Sequence, residues 1–185
     1  MNEQPPSPTA DSIRVERVSV EKFPHDEAVL FEGCFWRHAK DMSNQLDPRT
    51  AICLIARSLR RDISDTIDLD ALAHEISRPE QTESPLALRG FLIAGLERVR
   101  DTARYRCDLF DIVTSLIDDR KEDVEDALVR GWQAECHRNA WLELIVDVHA
   151  EGPDDPIFTR HSFERRSHAH PLTVDHMVWR PSLRG

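Results

Sequence analysis

Between Pro24 and Pro153 apolar residues return at steps of three and four, and this spacing constrains the chain more than any other feature in it. A three-and-four step places side chains on one face of a helix. Val29, Leu30, Cys34, Phe35, Met42 and Leu46 form one such stripe over residues 26–46. Asp47 then stands as a helix cap with Pro48 in the first turn, ahead of Ile52, Ile55, Ala56 and Leu59. A short helix is expected over 69–76, with Asp68 as its cap. Ser84 and Pro85 repeat the cap-then-proline device before Leu88, Phe91, Leu92, Leu96 and Val99. Leu109, Ile112, Val113, Leu116 and Ile117 make a further stripe. The last runs from Val124 through Leu128, Trp132, Trp141, Leu142 and Ile145, and Gly152 with Pro153 stops it. The pattern predicts a mainly α fold, a compact bundle of about five or six helices.

Two segments break the pattern. In Ile13–Val20, Ile13 and Val15 alternate with charges, and Val18 and Val20 do so one step out of phase. That is a strand signature with a bulge expected at Glu16 or Arg17. Thr173–Trp179 is the other candidate strand, and the two are expected to pair and so join the terminal segments. The organisation expected is a flexible tail over 1–11, a helical domain over 12–152 containing the strand-like 13–20, and a Pro- and His-containing extension over 153–185. The extension packs on the domain or on a partner.

Composition excludes several classes. The chain has 185 residues, enough for one well-buried core, with 40% hydrophobic and 31% charged residues, an ordinary globular balance. Its longest apolar runs, Ala51–Ala56 and Phe91–Leu96, are too short to cross a bilayer. The start carries Pro5, Pro6 and Pro8 and lacks the order of a signal peptide, so the expected location is the cytoplasm. The four cysteines are dispersed at Cys34, Cys53, Cys107 and Cys136, which reads as buried thiols in a reducing compartment. A formal net charge of −10 opposes loose binding to nucleic acid or anionic lipid. Only Lys22, Lys40 and Lys121 are lysines among 24 basic residues. Such arginine usage fits a GC-rich, bacterial-like composition, or a demand for planar bidentate donors.

No nucleotide loop, catalytic triad signature or zinc ribbon is legible. The function expected is therefore a non-enzymatic, acidic, cytoplasmic interaction protein: an adaptor, regulator or inhibitor with a protein partner and no cofactor. Trp36, Trp132 and Trp179 are its interface candidates. One alternative is a helical subunit that follows a nucleic-acid backbone inside a larger complex through Arg57, Arg61, Arg89, Arg100 and Arg104. Another is a site for zinc or another transition metal at His168, His170 and His176, where an extended His-Ala-His turns both imidazoles to one side.

Overall fold

The computed structural model of the protein describes residues 13–24, 47–59, 86–114, 120–149, 153–166 and 174–182. These residues form one seven-stranded sheet in the order β1-β2-β3-β4-β5-β7-β6. The strands are β1 (Arg14–Val18), β2 (Ala51–Leu59), β3 (Leu86–Arg98), β4 (Tyr105–Thr114), β5 (Glu143–His149), β6 (Glu164–Arg166) and β7 (Val174–Trp179). Among the described residues two α-helices accompany them, α1 (Lys121–Arg138) and α2 (Pro156–Arg160). A 3-10 turn, Val20–Lys22, follows β1. The helical bundle expected from periodicity is therefore corrected to a mixed sheet.

The reason lies in the central strands. A strand covered on both faces is apolar at every position, and such a run imitates a helical stripe. In β2, Ile52, Leu54 and Ala56 face one buried cluster while Cys53 and Ile55 face the other. In β3, Leu92 and Ala94 join the first cluster, and Phe91 and Ile93 the second. Asp47 caps no helix. Its Oδ1 accepts from the Arg49 backbone N at 2.9 Å, and its carbonyl accepts from Thr50 and Ala51, forming a tight turn that launches β2. The expected final helix ends at Arg138. Trp141 and Leu142 lie in the following turn, and Ile145 is in β5. The helices expected over 26–46 and 69–76 lie outside the described residues.

The strand-like start is real but pairs differently. β1 runs antiparallel to β2, from Arg14 opposite Arg57 to Val18 opposite Cys53, without a register shift. No bulge is needed, because both faces of β1 are used. Val15 packs against the α1 side, where an added Cβ on Gly131 would meet it at 2.8 Å, and Val18 packs on the opposite side. Arg17 also points toward α1 and meets the buried carboxylate of Glu135 at 3.1 Å. The other candidate strand is β7, but it lies between β5 and β6 and not beside β1. Residues expected to form an extension thus complete the same sheet and core. Phe158 and Phe163 are buried there, 5.3 Å apart between ring centres, and Phe163 stacks on Trp132 at 5.9 Å.

α1 covers one face of the sheet. Val124, Leu128, Val129, Trp132 and Cys136 are fully buried or nearly so against Leu92, Cys107, Leu144 and Met177. It is the connection between β4 and β5, which pair in parallel. A parallel pair needs such a crossover, and the helix is where it packs. No described helix is long and apolar enough to cross a membrane.

Candidate active site

The sheet opens between β4 and β5. Their parallel register covers only Arg106↔Glu143, Cys107↔Leu144 and Asp108↔Ile145. A backbone bond from Leu142 N to Tyr105 O, 2.7 Å, closes the starting end. Past Asp108 and Ile145 the strands run on to Thr114 and His149 with no register partners in each other. A bulge stands at the point of divergence. In the β3–β4 ladder Ala94 opposes Leu109 and Ile93 opposes Asp111, so Phe110 is the extra residue. A bulge bends its strand and sharpens its twist. This one turns β4 away from β5 and leaves alternate peptide groups of β4 aimed into the gap. The gap lies at the carboxyl ends of a parallel pair, just before the crossover helix, where open α/β sheets place ligands.

The bulge also sets which side chains line the gap. Opposed residues share a face, so Asp111, opposite Ile93, lies on the face away from α1. Asp108, opposite Gly95, lies there too. Phe110 is on that face because its ring covers Gly95. Asp147 on β5 and His176 on β7 are register partners on the same face. His176 Nδ1 lies 2.6 Å from Asp147 Oδ1. An ionised carboxylate only accepts, so Nδ1 carries the hydrogen, and in the neutral ring Nε2 holds the lone pair. Burial pushes the Asp108 carboxyl above the ordinary carboxylate value. Arg106 opposes that shift, while Glu97 and Asp147 add to it. Arg106 does not cancel the effect because it is shared: its Nε is 3.5 Å from Asp108 and also donates to Glu97 at 2.9 Å.

Beside the end of β4 is the start of α1, where Thr114 Oγ1 donates to Glu125 at 3.2 Å. The first N–H groups of an 18-residue helix have no partner within the helix and favour anions. Arg120 and Lys121 add two cations, Glu122 and Asp123 two carboxylates. Arg120 Nε donates to Asp123 at 3.1 Å, Lys121 lies 3.6 Å from Glu125, and Arg160 pairs with Glu122 at 3.1 Å.

The residues singled out from sequence are dispersed. Arg57 is in β2, 3.7 Å from Glu16, and the Arg89 Nε donates to Ser58 Oγ at 2.8 Å. Arg100 and Arg104 are exposed in the β3–β4 turn, far along the strand from Arg89, so the expected helical arginine stripe does not exist. Arg61, Trp36, His168 and His170 lie outside the described residues. Among the described residues no group of three potential ligands could hold a metal ion. Trp132 is fully buried and serves the core, not an interface. Trp179 packs its ring against His137 and Phe163. Of the named residues that are described, only His176 reaches the gap. Asp108, Phe110, Asp111 and Asp147 were missed, since only the sheet register brings them together.

Solved structures similar to this chain include acetyltransferases. One, a NatC complex bound to Gag peptide and CoA, has 10% sequence identity and a TM-score of 0.55, covering 92% of this chain and 99% of that one. A GNAT-family protein from Desulfovibrio desulfuricans has 11% identity and a TM-score of 0.55, covering 92% and 98%. Aminoglycoside 6'-acetyltransferase type Ii has 12% identity and a TM-score of 0.53, covering 90% and 96%. The fold is that of the GNAT acetyltransferases. No protein-family model matches the sequence, and no curated protein sequence matches it. The expectation of an all-α, non-enzymatic adaptor or regulator is corrected by this fold, which solved acetyltransferases share. The nucleic-acid and metal alternatives fit it no better.

Past Asp108 the β4 edge offers peptide groups for strand-like addition and for a carbonyl oxygen. The start of α1 sets two cations beside two carboxylates.

Proposed function

We propose that the protein is an N-acyltransferase that moves an acyl group from a thioester donor to an amine. The observation that carries this reading is the divergence of β4 from β5 at Asp108, made by the bulge at Phe110, in a sheet of the acetyltransferase type. The similar structures support it by what they are named for: one holds CoA, and another acetylates an aminoglycoside.

An amine attacks only with its lone pair uncovered, so the chain must take a proton from it. His176 is the base in this reading, with Nε2 receiving the proton and Asp147 fixing the tautomer and stabilising the imidazolium. Peptide N–H groups of β4 beyond Asp108 polarise the acyl carbonyl, and the donor supplies the activated acyl group. α1 closes the opposite face of the sheet and keeps water from that side.

The test is thiol release from acetyl-CoA in the presence of an amine panel, with product mass confirming the transfer. The expected outcome is amine-dependent release, reduced about 100-fold or more in kcat by His176→Ala. No release with any amine, together with no binding of CoA by calorimetry, overturns the proposal.

A further inference from the structure

Phe110 is a large aromatic ring on a central strand, yet it is 46% exposed. Its position is built, in two ways. The bulge places it on the same face as its neighbour Asp111, which regular alternation forbids. Gly95 on β3 then makes room for it: a Cβ there would lie 2.5 Å from ring atom Cε2 and 2.7 Å from Cζ. With any other residue at 95 the ring could not lie down on the strand. The surroundings are acidic. Asp108 and Asp111 flank it on β4, Asp147 lies across the gap on β5, and Glu97 follows Gly95 two residues on. Arg106 is engaged by Glu97 and Asp108. A ring face bordered by carboxylates attracts ammonium and repels anions.

Resting on the acyltransferase reading, we infer that Phe110 is a specificity-determining platform for an alkylammonium acceptor. The methylenes and charged nitrogen lie over the ring, the carboxylates balance the charge, and the reacting nitrogen is directed toward His176. The acceptor class is a small cationic amine with a flexible alkyl chain.

The probe is 1,6-diaminohexane, with uncharged 1,6-hexanediol as its control, titrated into the full chain without acyl donor and followed by NMR. The expected result is salt-sensitive binding of the diamine and no comparable binding of the diol. Phe110→Ala and Phe110→Leu weaken the diamine about 3–10-fold, and Phe110→Tyr keeps it. Gly95→Ala, which displaces the ring without altering any carboxylate, gives the same loss. Equal binding of diol and diamine overturns the inference, as does diamine binding unchanged in Phe110→Ala and Gly95→Ala, or no diamine binding at all. The thiol-release assay is scored separately. Diamine binding with no release from any amine and no CoA binding overturns the transfer reading and leaves the platform standing, whereas turnover of amines indifferent to Phe110 overturns the platform alone.

Discussion

The indole Nε1–H of Trp132, midway along α1, points at the thiol sulfur of Cys107 on β4, 3.2 Å away. Both residues are fully buried. The contact ties the crossover helix to the strand whose far half forms the gap, so the packing of α1 and the geometry of the site are one problem. Trp132 also stacks on Phe163, which brings the β6 end of the sheet into the same cluster. Trp132→Ala should therefore cost about 3–5 kcal/mol, the range for removing a buried aromatic. Urea unfolding followed by far-ultraviolet circular dichroism measures it, and a loss below about 1 kcal/mol would show that α1 does not sit on β4 in this way.

The thiols themselves should be inert in the folded protein. Burial pushes Cys53 up to about 11, and Cys107 and Cys136 up to about 12. The thiolate is the reactive form, so these three should resist iodoacetamide at pH 8 until the chain unfolds. Peptide mass mapping after timed alkylation reads each site separately. Rapid native labelling of Cys107 would contradict the core described.

Asp108 gives the fold a pH dependence of definite sign. Its carboxyl is raised in the folded state, chiefly by burial. Between the unfolded value, about 3.9, and the raised one, the folded chain keeps a proton that the unfolded chain has released. Stability from this group is thus present at low pH and is lost as pH rises through the folded value. Asp108→Asn should remove that loss. Melting temperatures of variant and parent, taken from pH 3.5 to 7, should separate in favour of Asn as pH rises. A difference that shrinks with pH would reverse the assignment.

These groups explain what was legible in the chain and what was not. The segments 13–20 and 173–179 read as strands because each carries charges that break its apolar run. β2 and β3 did not, since Ile52–Ala56 and Phe91–Ala94 are buried on both faces and carry no period at all. α1 was legible because a helix on one face of a sheet keeps a polar side, and the stripe of Val124, Leu128 and Trp132 survives in sequence. The site was nearly invisible. His176 stood out as a histidine, but its partner Asp147 is 29 residues away, and the pairing follows only from the β5–β7 register. Nothing in the one-dimensional spacing announces that Phe110 is an extra residue, because a bulge belongs to a pair of strands.

The start of α1 yields the sharpest charge test of the donor. Glu122 and Asp123 suit the helix itself, since carboxylates in a first turn favour the dipole by about 0.3–1 kcal/mol each. They also pair with Arg160 and Arg120. The double change Glu122→Gln/Asp123→Asn should lower the melting temperature slightly while reducing repulsion of an anion. CoA should then bind about 3–10-fold tighter, an advantage that added salt erodes, whereas phosphate-free pantetheine should bind as before. Arg120→Glu should move CoA affinity the other way and again leave pantetheine alone. Calorimetric titration of both ligands into all three proteins decides the matter. If CoA responds to neither change nor to salt, its phosphates are held elsewhere, and the polarity of the donor in the β4–β5 gap must be turned round.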